Sequence, residues 1–263
     1  MTTDAVTLQE EINSLAQQFF GSAAEKHGHF VNWLQDTFAS TWGKEFLLIH
    51  NPGGWGSTRL EHCLDWERSI VTGVSDTMDR LGRRWALVQY FRSGNTAWQH
   101  IREAREELVF FFGGKYFQAK VMAACLRFLT QQIRNLRIIL VGASQGAAFS
   151  NAVMRELGDF PQVYSIELGI FFPHMSRRVI TERTLAIDSN GLMPDSMAHR
   201  DLRVAFPAYA AGLFRWCQYW FQGKPTEFAR CTNLPGHEYR WEYPEVRHRI
   251  EDFLAANFGA GQK

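Results

Sequence analysis

Gly142, Ser144 and Gly146 fit the pattern G-x-S-x-G, with the apolar run "RIIL" and Val141 before them and small residues after them. A serine hydroxyl is a poor nucleophile without a base. A tight strand-to-helix turn would raise Ser144 and set it beside helix N-terminal N–H groups that favour negative charge. The base expected is His237, which follows a Pro-Gly turn in "NLPGHEYRW". A carboxylate must orient that histidine. Asp188 stands at the end of the strand-like run "RTLAIDS" and is the acid expected here, while Asp195 reads as the cap of a following helix or as the alternative acid. The order Ser144, Asp188, His237 is that of one class of catalytic triad. An oxyanion formed at Ser144 needs two donors. The N–H of Gln145 supplies one, and Gly54 or Trp55 in the glycine-rich loop "HNPGGWG" the other. His50 is placed to orient that loop, and His199 is the histidine that competes with His237. No set of His, Cys, Asp and Glu has zinc-ligand spacing, so neither a metal nor a cofactor is expected.

These residues need elements to hold them. Residues 1–45 read as a helical extension: Leu8, Ile12, Leu15 and Phe19 recur at spacings of three and four, with Thr7 as N-cap, and "HFVNWLQDTFASTW" follows as a second helix. From residue 46 the period changes. Strands are predicted at "EFLLIHN", "RWALVQYF", "RIILVGAS", "QVYSIELGI" and "RTLAIDS". Helices are predicted over 65–82, 119–136 and 145–157, and in "PEVRHRIEDFLAANFG", where Pro244 suits a first helical position. The stretch Arg92–Gln118 fits no single pattern, although "HIREAREELVFFFGG" is helix-like up to Gly113. Strands alternating with helices imply a mostly parallel sheet covered on both faces, a three-layer α/β sandwich spanning 46–263. Ligands of such sheets bind beyond the carboxyl ends of the strands.

The elbow "GASQGA" resembles the G-x-SQGA elbows of cutinase-like and related serine esterases of the α/β-hydrolase superfamily, and the resemblance runs over roughly residues 45–258. It implies an esterase or lipase-like hydrolase in which Ser144 attacks a carboxylic ester, His237 is general base and then acid, and Asp188 orients it. "HNPGGWG" resembles the HGGG-type loops of lipases and esterases, which contribute an oxyanion donor. The helical N-terminus has no counterpart to the first two strands of larger members, so a smaller sheet is expected. Thioesterase or amidase chemistry would use the same residues, and a non-catalytic binding or scaffold protein would keep the elbow as architecture alone.

The substrate class expected is a small-molecule or lipid-like ester with an apolar part. Trp55 and Phe171, the latter in "GIFFPHMS", would line its pocket, and the aromatic stretch 206–223 reads as a core or dimer-interface helix or as a cap on an acyl pocket. A net charge of +1 over 263 residues gives no reason to expect nucleic acid. The four cysteines are scattered and no apolar run has membrane-spanning length, so a cytoplasmic protein without stable membrane insertion is expected.

Overall fold

A computed structural model describes residues 2–21, 23–54, 56–92, 116–223, 231–232 and 234–259. Two helices, α1 (Thr2–Phe20) and α2 (Ala24–Thr41), precede the first strand, β1 (Phe46–Asn51). They are followed by α3 (Asp65–Arg80), β2 (Trp85–Gln89), α4 (Phe117–Gln132), β3 (Arg137–Ala143), α5 (Gln145–Leu157), β4 (Val163–Leu168) and β5 (Thr184–Ile187). The last helices are α6 (Leu202–Phe221) and α7 (Pro244–Phe258). Short 3-10 turns lie at Leu60–His62 and Phe172–Arg177.

The five strands form one sheet, entirely parallel, in the order β2-β1-β3-β4-β5. Side chains alternate between its faces. Leu47 and Ile49 of β1 join Ile138 and Leu140 of β3 in a core with α1, α2, α4 and α5. Phe46 and Leu48 join Ile139 and Val141 in a second core with α3 and α7. The helical stripes match these faces: Ile12, Leu15 and Phe19 pack on the first core, and Val246, Ile250, Leu254 and Phe258 fill the second. Among the described residues no helix is long and apolar enough to cross a membrane.

Several helix boundaries differ from the sequence reading, and two of the differences are instructive. Helix α1 begins at Thr2, so Thr7 lies inside it and does not cap it. The apolar stripe of α4 continues through Ile133 and Leu136, both buried, yet the helix ends at Gln132. Asn135, at φ 63°, turns the chain there into β3, and the last two apolar side chains are buried from a loop. The stretch 93–115 lies outside the described residues, as does most of "TEFARCT".

The strand order carries the functional consequence. From β1 the chain goes outward to β2, then returns to place β3 on the other side of β1. The carboxyl ends of β1 and β3 therefore bound a crevice where the winding direction reverses, the ligand site of open parallel sheets. The loop after β1 is the glycine-rich segment, and the residue after β3 is Ser144.

Candidate active site

Ser144 adopts φ 53° and ψ −113°, a left-handed conformation that a non-glycine residue holds only under constraint. The constraint is visible on both sides. Its N–H donates to the Leu168 carbonyl (2.8 Å), and its carbonyl accepts from the Ala148 N–H (3.0 Å) in the first turn of α5. The flanking glycines make the turn possible. A Cβ on Gly142 would lie closer than 3.0 Å to the Gly146 carbonyl, and one on Gly146 closer than 3.0 Å to the Asn51 and Pro52 carbonyl oxygens. Within residues 141–150 every residue is buried except Ser144. Gln145 opens α5, so its N–H is among the first four of the helix, which lack intrahelical acceptors. Its side-chain amide is buried, and neither Oε1 nor Nε2 meets a partner among the described residues.

The histidine expected as base is held by the second of the two candidate acids. His237 Nδ1 lies 2.7 Å from Asp195 Oδ2. Asp188 does not meet it: its Oδ2 accepts from Arg178 (2.6 Å), whose Nε donates to the fully buried Glu167 (3.0 Å). The expectation that Asp188 orients His237 is corrected by these contacts. The reason lies in the loop between the two acids. Asn190 Oδ1 accepts the Leu192 and Met193 N–H groups, Ser189 and Pro194 form a β-bridge, and the Asp195 N–H donates to the Asp188 carbonyl. The loop thus closes on itself and returns Asp195 to the strand end. Asn190-Gly191, a strong turn dipeptide, is the sequence signal for that return.

Asp195 also fills the capping role that its sequence position suggests. Oδ1 accepts the N–H groups of Met197 (2.7 Å) and Ala198 (3.3 Å), while Oδ2 accepts from His237 and from the Tyr239 hydroxyl (2.6 Å). Burial alone would raise this carboxyl, but the hydrogen bonds from His237, Tyr239 and Met197 outweigh it and hold Asp195 below the usual range. An ionised carboxylate fixes the imidazole proton on Nδ1, leaving the Nε2 lone pair free to act as a base. The Pro-Gly turn seats the histidine: Gly236, at φ 77°, packs where a Cβ would collide with the Pro194 carbonyl, and the Ser196 N–H donates to the Pro235 carbonyl. Trp66 of α3 lies edge-on to the ring at 6.2 Å. His199, the competing histidine, is exposed.

Ser144 and the His237–Asp195 pair converge on the end of β4. Leu168 accepts the Ser144 N–H, and a Cβ on the next residue, Gly169, would collide with Asp195 Oδ2 and the Tyr239 ring. Phe171 continues this segment and is buried against Met197, two residues from Asp195.

The glycine-rich loop after β1 is braced from beneath. His50 Nε2 donates to Glu67 Oε1 (2.9 Å), because Gln89 donates to its Nδ1 (3.0 Å). The same Glu67 oxygen accepts the Gly53 N–H (3.0 Å). From above, the buried Arg92 donates to the Pro52 (2.9 Å) and Gly54 (2.7 Å) carbonyls. The Gly53 N–H is thereby committed to Glu67, whereas the N–H of Gly54, exposed at φ 55°, meets no acceptor among the described residues. Trp55 lies outside the described residues. His50, Glu67 and Cys63 bring ligand-capable atoms within 4.8 Å of one another. Their chemistry favours a brace over a metal centre, since the His50 Nε2 proton and the Glu67 oxygen it meets are both engaged in the loop's hydrogen bonds. Glu67, Arg92 and Tyr239 are the contributors that the sequence reading missed.

No known family model matches the chain, and no curated protein sequence matches it.

Proposed function

We propose that the chain is a serine hydrolase of carboxylic esters, of the α/β-hydrolase type, with Ser144 as nucleophile, His237 as base and Asp195 as orienting acid. The observation that carries this reading is the strained backbone of Ser144, bonded to Leu168 at the end of β4, where the next residue, Gly169, packs against the buried carboxylate that holds His237 Nδ1. Strain at one non-glycine residue, stabilised by two neighbouring elements, is characteristic of functional turns.

In the reaction, Ser144 Oγ attacks the ester carbonyl carbon while its proton passes to His237 Nε2. The Gln145 and Gly54 N–H groups take the oxyanion. Collapse breaks the bond to the alcohol, which leaves with the proton from Nε2, and Ser144 carries the acyl group. Water then repeats the sequence, losing a proton to Nε2, and restores the serine. Asp195 stays ionised and stabilises the imidazolium. An apolar substrate moiety suits the apolar edge of the acid loop, where Phe171 is buried against Met197.

The test is a panel of p-nitrophenyl esters of rising acyl length. We expect hydrolysis with kcat/KM rising with chain length. A flat profile would remove the apolar acyl pocket, and no turnover of any ester would remove the ester-hydrolase reading.

A further inference from the structure

We propose that Tyr239 is a positioning residue that sets the basicity of His237 by sharing the Asp195 oxygen that the imidazole uses. Its catalytic meaning rests on the reading of His237 as the general base.

Asp195 has two oxygens with different duties. Oδ1 is taken by two backbone N–H groups, and Oδ2 faces two side chains, His237 at 2.7 Å and Tyr239 at 2.6 Å. Tyr239 is entirely buried, its ring 5.9 Å from that of Trp66 in the core that also holds Val246 and Ile250, and ends with its hydroxyl on that oxygen. Burial, with the Asp195 charge beside it, pushes the phenol far up, so the hydroxyl stays protonated and donates. Gly169, at φ 55°, leaves the room this pair needs, since a Cβ there would meet both Asp195 Oδ2 and the Tyr239 hydroxyl.

A hydrogen bond donated to a carboxylate draws charge from the oxygen that accepts it. Tyr239 therefore weakens the attraction between Oδ2 and the imidazolium, lowering the basicity of His237. Removing the hydroxyl leaves Oδ2 to the histidine alone and makes the histidine more basic. Among the described residues, Asp188 is paired with Arg178, and Glu238 with Arg240. Helix α3 presents the uncharged Trp66 ring, and its Glu67 is paired with His50. The Tyr239→Phe change leaves all of them in place and keeps the buried ring.

The experiment is an NMR titration of the His237 imidazole in 15N-histidine-labelled protein, assigned with His237→Gln, for wild type and Tyr239→Phe. The midpoint should rise by about one pH unit in the variant, the size expected for losing a competing bond to a charged group. The acid limb of kcat/KM against pH should move up with it. As a second variant with the native shape, 3-fluorotyrosine at position 239, a stronger donor, should move the midpoint down. An unchanged midpoint in either variant overturns the proposal. If the midpoints move while wild type hydrolyses no ester, the positioning role stands and the hydrolase reading fails.

Discussion

Asp195→Asn should lower kcat for ester hydrolysis by about 10³ to 10⁴, the scale that loss of the correct imidazole tautomer costs in triad enzymes. The geometry dictates how. The Met197 and Ala198 N–H groups need an acceptor, so the asparagine would turn its carbonyl oxygen to them. Its NH2 would then face His237 Nδ1 and donate to it. The imidazole proton would move to Nε2, and the base would be lost. Asp188→Asn should leave kcat within about tenfold of wild type, because the Asp188 contribution to Asp195 is a backbone carbonyl that the substitution keeps. It should instead lower stability, since the buried Arg178 loses one of its two carboxylate partners. Steady-state kinetics and thermal melts of the two variants check this pair. Equal kcat losses, or a larger one for Asp188→Asn, would contradict the assignment.

Ser144→Gly should abolish turnover and stabilise the fold at the same time. The serine holds φ 53° and ψ −113°, a conformation that costs a non-glycine residue about 1 to 3 kcal/mol and costs glycine little. Removing the side chain removes the nucleophile and relieves that strain, so the variant should gain about 1 to 2 kcal/mol in urea denaturation. Ser144→Ala removes the hydroxyl but keeps a Cβ at the same backbone angles. It should lose the activity without the gain. The opposite trend is expected two residues on. Gly146→Ala sets a Cβ against the Asn51 and Pro52 carbonyls, where only backbone can give way, and should destabilise by about 3 kcal/mol. Together the variants separate the two duties of the turn: Gly146 permits it, and Ser144 is strained by it.

Much of this arrangement was legible from residue types. Short, largely apolar runs marked the five strands, most clearly the near-continuous run of the central β3, and the switch to glycine and small residues after β1 and β3 marked the loops that form the site. Ser144 and the brace at His50 stood out because each sits where a strand ends, and His237 because it follows a Pro-Gly turn. What escaped the reading depended on how loops close. A strand-end rule selects Asp188, whereas the Asn190-Gly191 turn carries the chain out and back so that Asp195 reaches the histidine. Tyr239 looked like any aromatic beside the last helix, because sequence does not show which atom its hydroxyl meets. Glu67 and Arg92 are separated by 14 and 38 residues from Gly53 and Gly54, the loop residues they hold. No local pattern links them.

The central claim is that Ser144 is an activated nucleophile, and covalent labelling tests it most directly. In folded protein treated with a fluorophosphonate, Ser144 Oγ should give up its proton and displace fluoride from the reagent's phosphorus, so that the chain gains one phosphonyl group, located by peptide mass spectrometry on Ser144. Ser144→Ala should gain none, and Asp195→Asn should react far more slowly than wild type. Absence of labelling in the folded wild-type protein, or equal labelling of Ser144→Ala, would contradict the account.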